Sequence, residues 1–375
     1  MTDKASLRAK AAIVHDYLNQ RGGAERVVAV FHEIYPDAPI FTSIVDYGNI
    51  WKEMEGADIR PTWMQRLPGI MRHFKKYLPF YPGAIESIDL SGYDIVISSS
   101  SAFAKGALKA GGALHICYCY TPMRFVWDTE RYLEKEGMGL AARTLLPFFL
   151  RRLKAWDLRT KTRPDYYIAI STAVKRRIEE FYGLPAAVIF PPVDCGRFKP
   201  GKGFEDFYLI VSRLNAYKRI ELAVEAAGRL GVALKVVGDG PYKEALVRMA
   251  KPNVEFLGRL DDAAVARLYA RCKALIFPGA EDFGIVPLEA NAAGRPVIAY
   301  KDGGALNTVV DGATGYFFDR PTPEALMEAI ERMEAGAGRF DPERLRAHAL
   351  RFDRKVFVEK FGAFVDEKYA EMKRG

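Results

Sequence analysis

Two glutamates, Glu281 and Glu289, stand in a stretch that is otherwise mostly small or apolar. It reads Phe277-Pro278-Gly279-Ala280-Glu281-Asp282-Phe283-Gly284-Ile285-Val286-Pro287-Leu288-Glu289-Ala290-Asn291-Ala292-Ala293-Gly294-Arg295-Pro296. The run 274–277 has the character of a buried strand, and it passes into a loop that carries Glu281. A glycine, Gly284, then marks the start of a helix bearing Glu289. The first backbone N–H groups of a helix have no partner within it, and the helix dipole favours negative charge there. Gly284, Ile285 and Val286 would therefore aim donors at an anion such as a diphosphate. Glu281 precedes that anion position and is in reach of sugar hydroxyls. Glu289, one to two turns into the helix, is placed to accept from ribose hydroxyls.

Other glycine turns and cations fit the same chemistry. One strand ends at Val211-Ser212-Arg213-Leu214, with Lys218 shortly after. Another closes in the turn Gly238-Asp239-Gly240, where a doubly wound sheet binds ligands. Near the start, His15-Asp16-Tyr17 is followed by Arg21-Gly22-Gly23-Ala24-Glu25 and then by a helical apolar pattern. The glycines Gly22 and Gly23 let backbone donors approach an anion. Their spacing is not that of a dinucleotide fingerprint.

These residues need a frame. Apolar runs at 11–15, 93–98, 113–119, 166–170, 207–212, 233–237, 254–257, 274–277 and 296–300 alternate with helical stretches. Several are apolar on both faces, as buried parallel strands must be. Such alternation implies βαβ units in doubly wound sheets. A chain of 375 residues suits two domains. The stretch from Phe190-Pro191-Pro192 to Gly203, rich in proline and glycine, is the expected linker. We expect domains at 1–195 and 196–355. The stripe Val356, Phe357, Phe361, Phe364, Val365 and Tyr369 belongs to a last helix, over 356–375, that needs an apolar surface to bury against.

The Glu281–Glu289 pair resembles the Glu-x7-Glu motif of the family 4 (group 1) retaining glycosyltransferases. The resemblance extends over essentially the whole chain, through Arg213 and Lys218, Val236-Val237-Gly238-Asp239-Gly240-Pro241 and Phe256-Leu257-Gly258. It implies a GT-B fold, two Rossmann-like α/β domains with doubly wound parallel sheets facing across an interdomain cleft, and the last helix, 356–375, packed back on the N-terminal domain. By the same resemblance Arg213 and Lys218 clamp the donor pyrophosphate, and Glu281 contacts the donor sugar. Phe283 and Gly284 hold sugar and phosphate through backbone, Glu289 binds ribose, and the strand edge around Leu257 meets the base. The first half resembles the mannosyltransferases of bacterial O-antigen and exopolysaccharide assembly, through His15-Asp16-Tyr17-Leu18, Arg21-Gly22-Gly23-Ala24-Glu25-Arg26 and Cys117-Tyr118-Cys119-Tyr120-Thr121-Pro122-Met123-Arg124-Phe125-Val126-Trp127-Asp128. That points to GDP-mannose as the donor, a saccharide or lipid-linked acceptor, and Asp16, Tyr120 and Arg124 on the acceptor side. Many relatives carry His where this chain has Tyr120, and a neutral phenol is a poor base at pH 7. The neighbouring His115 faces the core in this reading.

Neither an Asp-x-Asp motif nor a cluster with metal-ligand spacing occurs in the sequence, so the expected chemistry has no metal and no other cofactor. The four cysteines are too scattered for a disulfide framework, and Cys117 and Cys119 read as strand residues. With no apolar signal core and no long apolar run, the expected location is cytoplasmic. A net charge of +8 invites an anionic partner. No nucleic-acid motif accompanies it, which leaves nucleotide phosphates and anionic lipid. Two basic stretches, 60–77 and 143–163, carry helical apolar stripes (Ile70, Phe74, Tyr77 and Leu78; Leu146, Phe149, Leu150, Leu153 and Trp156). These are candidates for contact with the inner membrane surface.

Overall fold

A computed structural model describes residues 9–127 and 140–374. Asp128 and the side chain of Leu146 lie outside the described residues. The chain forms two compact units: Met1–Ile189 together with Val358–Gly375, and Phe190–Phe357.

The first unit is built on seven strands: β1 (Ala11–His15), β2 (Ile40–Thr42), β3 (Ile59–Pro61), β4 (Ile95–Ser100), β5 (Leu114–Cys119), β6 (Tyr166–Ala169) and β7 (Ala186–Val188). They lie in the order β3-β2-β1-β4-β5-β6-β7 and all pair in parallel. The second unit holds β8 (Tyr208–Val211), β9 (Leu234–Val237), β10 (Val254–Gly258), β11 (Ala274–Phe277), β12 (Val297–Tyr300) and β13 (Gly315–Phe318). Their order is β10-β9-β8-β11-β12-β13, again all parallel. Helices cover the sheets because every apolar strand face must leave water. Each buried Ile, Leu or Val side chain contributes about 1.5–3 kcal/mol towards that.

In each sheet the strand order reverses once, between β1 and β4 in the first and between β8 and β11 in the second. Loops leaving the two central strands diverge there and open a crevice at their carboxyl ends, which is where doubly wound sheets take ligands. Arg213 follows β8 and Glu281 follows β11; Asp16 follows β1 and Ser101 follows β4. Arg213, Glu281 and Asp16 thus fall at the two reversal points, whereas Gly238 follows β9, Leu257 lies in β10 and Tyr120 follows β5.

Val358–Gly375 clusters with the first unit. Phe361 is buried there, with its ring centroid 4.6 Å from that of Phe31 and 6.3 Å from that of Tyr118. All four cysteines are free and buried, and Cys117 and Cys119 are strand residues of β5.

The two basic stretches fold differently from a lipid-facing reading. Ile70, Leu150, Leu153 and Trp156 are buried in the core of the first unit, and Phe74, Tyr77 and Leu78 pack against that core. Trp156 is only 6% exposed and its Nε1 donates to Glu86 at 2.8 Å. These stripes are apolar because they cover the sheet. The stripe residue Phe149 is exposed instead, as are Trp63, Met71, Phe148 and Leu158 of the same stretches and Phe80 just beyond the first.

Candidate active site

The second unit gathers the expected donor residues at the carboxyl ends of its strands. Loops after β8 and β9 cross so closely that no side chain fits between them. A Cβ on Gly238 would overlap the backbone of Ser212, and one on Gly240 would overlap that of Leu214. The crossing is pinned by Leu214 N–H donating to the Asp239 carbonyl (3.0 Å) and Tyr242 N–H donating to the Leu214 carbonyl (3.0 Å). Gly238 also has a φ of 128°, a region that favours glycine. Its N–H donates to the Gly258 carbonyl at 2.7 Å. The β9–β10 register shifts between Phe256 and Gly258, so Leu257 leaves the ladder.

Lys218 ends a short 3-10 turn, Ala216–Lys218, and its ammonium is ion-paired with the carboxylate of Glu281. Both side chains are mostly shielded from solvent, so the pair is less screened by salt than a surface salt bridge. The next residue, Arg219, has a φ of 56° and is the one non-glycine residue with positive φ among those described. Such a conformation costs about 1–3 kcal/mol and tends to be retained where geometry matters. Arg213 is exposed at the exit of β8.

The Glu281 loop is held from below. Gly304 N–H donates to the Glu281 carbonyl (2.8 Å), and Gly304 lies against the Phe283 backbone with no room for a Cβ. The Phe283 ring turns inward, where its centroid is 5.6 Å from that of Phe190 and 6.1 Å from that of Phe352. Only its backbone is left to meet a ligand. Gly284 caps the helix Ile285–Ala292, so Ile285 and Val286 occupy its first turn as expected. Glu289 lies one turn further on, and the Tyr269 phenol donates to its Oε2 at 3.0 Å. Burial, followed by the Glu289 charge, pushes the Tyr269 pKa well above its usual value.

At the reversal point of the first unit, Asp16 is buried and its carboxylate is saturated. Oδ2 accepts from Ser101 N (2.6 Å), Ser101 Oγ (2.8 Å) and Ala102 N (3.0 Å), and Oδ1 accepts from Phe103 N and Ala104 N (2.7 Å each). A carboxylate has about four lone-pair positions, so Asp16 fastens the loop after β4 instead of facing an acceptor. Tyr120 is similarly engaged: its hydroxyl donates to the Ala24 carbonyl (3.0 Å) and lies 2.9 Å from Ser99 Oγ. Burial raises its pKa well above the phenol range, which removes it as a base. It latches β5 to the turn after Gly22 and Gly23. Gly22 is the N-cap of the helix Gly23–Ile34. Arg124 is exposed at the start of the short helix Arg124–Trp127. His115 is fully buried, with Nε2 2.8 Å from Ser98 Oγ, and burial depresses its pKa to about 3.

Beside this latch lies a polar group that sequence reasoning did not single out. His15 Nδ1 is 2.9 Å from Ser99 Oγ, and its Nε2 is 3.9 Å from Glu25 Oε1. Burial would raise the Glu25 pKa, but the hydrogen bond and charge of His15 and the amide of Gln20 hold it below the ordinary value. The adjacency of Gly22-Gly23 to Glu25 was the available signal. For the donor site, the overlooked signal was Gly303-Gly304 after β12.

Among the described residues no group of three or more His, Cys, Asp or Glu side chains is arranged to hold a metal ion, and no helix is long and apolar enough to cross a membrane.

Two parallel sheets, each with one reversal point, define a GT-B fold, and comparison with known proteins agrees. Residues 197–349 match the model for glycosyl transferases group 1, and residues 21–197 match that for glycosyltransferase family 4. Together the two glycosyltransferase models span residues 21–349, and so reach into both units. It is similar, at 31% identity over 215 residues, to a GDP-mannose-dependent alpha-(1-6)-phosphatidylinositol monomannoside mannosyltransferase of Mycolicibacterium smegmatis, covering 49% of this chain and 55% of that one. It is 32% identical over 140 residues to a GDP-mannose-dependent alpha-mannosyltransferase of Corynebacterium glutamicum, covering 34% of each. The chain thus spans about half the length, or less, of these curated relatives. Among solved structures it is similar to Anabaena HepE in complex with UDP, with a TM-score of 0.71 at 17% identity, covering 96% of this chain and all of that one.

Proposed function

We propose that the protein transfers a hexose, with retention and without a metal ion, from a nucleotide diphosphate sugar to a saccharide or lipid-linked acceptor. The observation that carries this reading is the Lys218–Glu281 ion pair beside the N-terminus of the helix Ile285–Ala292. A diphosphate seated on that helix end meets Lys218 and Arg213, whose charges offset the negative charge that develops as the glycosidic bond breaks. Glu281 then accepts from sugar hydroxyls, Glu289 from ribose hydroxyls, and backbone near Leu257 meets the base. With Tyr120 and Asp16 committed inside the fold, no protein base is needed if the leaving phosphate itself assists deprotonation of the acceptor. Such a front-face route is compatible with retention.

GDP-mannose is the proposed donor, supported by the names of the two curated relatives. A UDP-sugar is the second reading, favoured by the UDP bound in the structural neighbour. On the acceptor side Arg124 remains exposed, and Trp63, Met71 and Phe80 stand among Arg66, Arg72, Lys75 and Lys76, a composition suited to anionic lipid.

The test is to screen GDP-mannose, GDP-glucose, UDP-glucose and UDP-galactose for thermal stabilisation of the purified protein. Mass spectrometry would then follow sugar transfer to membrane lipid extracts. Stabilisation by GDP-mannose with a hexose mass increment in the lipid fraction is expected. A protein stabilised by no nucleotide sugar would overturn the reading.

A further inference from the structure

Glu289 does not stand on its own helix alone. The preceding helix, Asp262–Arg271, brings Tyr269 beneath it, and the phenol donates to Glu289 Oε2 at 3.0 Å. Tyr269 is fully buried, and the Phe198 ring packs edge-on against it at 5.5 Å. A buried hydroxyl needs a partner, and here the partner is a half-buried carboxylate at the ligand-facing end of the sheet. Hydrogen bonds to ionised acceptors are short, directional and about twice as strong as neutral ones. Because the ring cannot move without disturbing the core, it offers the carboxylate a donor at a fixed position. Its pKa keeps the phenol protonated at every working pH, so the donor is permanent.

We infer that Tyr269 is a positioning residue for sugar-nucleotide recognition: by fixing Glu289 it sets the discrimination between nucleotides that carry ribose hydroxyls and those that lack them. The inference rests on the proposed donor site, in which Glu289 meets ribose. It goes further in tying that contact to a residue of a different helix with no access to the ligand.

The experiment measures Kd by calorimetry for GDP and UDP, each against its 2′,3′-dideoxy counterpart. The proteins are the wild type, Glu289→Ala, Tyr269→Phe and the double variant. Tyr269→Phe removes one oxygen and keeps the ring, and its melting temperature without nucleotide reports the fold. Tyr269→Met gives a second variant should the first not fold. The expected result is that Tyr269→Phe weakens binding of the preferred ribonucleotide about tenfold, part of what a hydrogen bond to a charged group is worth. Affinity for the dideoxy form should stay unchanged, and the substitution should add nothing in the Glu289→Ala background. Equal weakening of both nucleotides by Tyr269→Phe would show a merely structural role and overturn the inference. So would full retention of discrimination when Glu289→Ala has lost it. If the wild type itself does not distinguish ribo from dideoxy nucleotides, the ribose contact fails, and that failure is separable from the failure of Tyr269.

Discussion

Gly279 offers a perturbation whose size can be worked from the packing. It follows β11 by two residues, and a Cβ placed on it would lie 2.8 Å from the Lys218 carbonyl oxygen, 3.0 Å from Lys218 Cα and 3.1 Å from its carbonyl carbon. Ordinary contacts begin at 3.4 Å, so Gly279→Ala must push the Lys218 backbone away by about 0.6 Å. That backbone leads into Arg219, already held at positive φ, and has little freedom to absorb the shift. Overpacking of this kind costs about 1–3 kcal/mol. For a unit of this size that is a fall in melting temperature of roughly 2–12 °C. Because misplacement by about 1 Å at a catalytic centre can cost roughly a hundredfold, a shift of about 0.6 Å in Lys218 should slow transfer about tenfold. Thermal unfolding and steady-state transfer on the same preparation measure both effects. Gly83→Ala is the control. Nothing lies within 4 Å of its added Cβ, and it sits in the helix Tyr81–Glu86, so it should be neutral or stabilising by about 0.5–1 kcal/mol. A Gly279→Ala protein with wild-type melting and wild-type turnover would refute the packing. One that melts early but turns over normally would refute the role given to Lys218.

Four further outcomes are expected. Glu281→Ala should abolish transfer with the fold intact by circular dichroism; turnover above a few per cent of wild type would remove Glu281 from the donor sugar. Arg213→Ala and Lys218→Ala should each slow transfer roughly 10²–10³-fold, by the cost of losing one electrostatic stabiliser, and wild-type activity should survive EDTA; a strict need for Mg²⁺ or Mn²⁺ contradicts the clamp. His115 is buried neutral with its pKa lowered from 6.5 to about 3, so the unfolded chain takes up a proton below about pH 6.5 that the folded chain refuses. Stability should fall by about 2 kcal/mol between pH 7.5 and 5 from this residue alone, and a His115→Gln variant, compared by urea unfolding, should lack that share of the loss. Vesicles with anionic lipid should co-sediment the protein at low salt and release it as salt rises, with Arg72, Lys75 and Lys76 changed to Glu reducing the effect; equal binding to neutral vesicles contradicts an electrostatic origin.

Much of the frame was legible from local pattern. The runs at 11–15 and 274–277 form strands at those bounds, and seven others were located to within a few residues. They are central or apolar enough that burial on both faces leaves a continuous signature. The strands that escaped, β2, β3, β7 and β13, have three or four residues each, and three of them are sheet edges. An edge pairs on one side only and needs little apolar sequence. The donor motif was legible because its residues are contiguous, from Phe277 to Glu289, and the strand, turn and helix there are set by local preference. What contiguity could not reveal was pairing across the chain. That Lys218 reaches Glu281, that Tyr269 supports Glu289, and that Asp16 is consumed by the loop at 101–104 depend on which strands become neighbours. The same holds for the basic stripes. Phe74 and Trp156 have the periodicity of either a membrane face or a core face, because amphipathicity records only that one side of a helix avoids water. Whether lipid or protein covers that side was decided by the tertiary structure, which packs both against the core of the first unit.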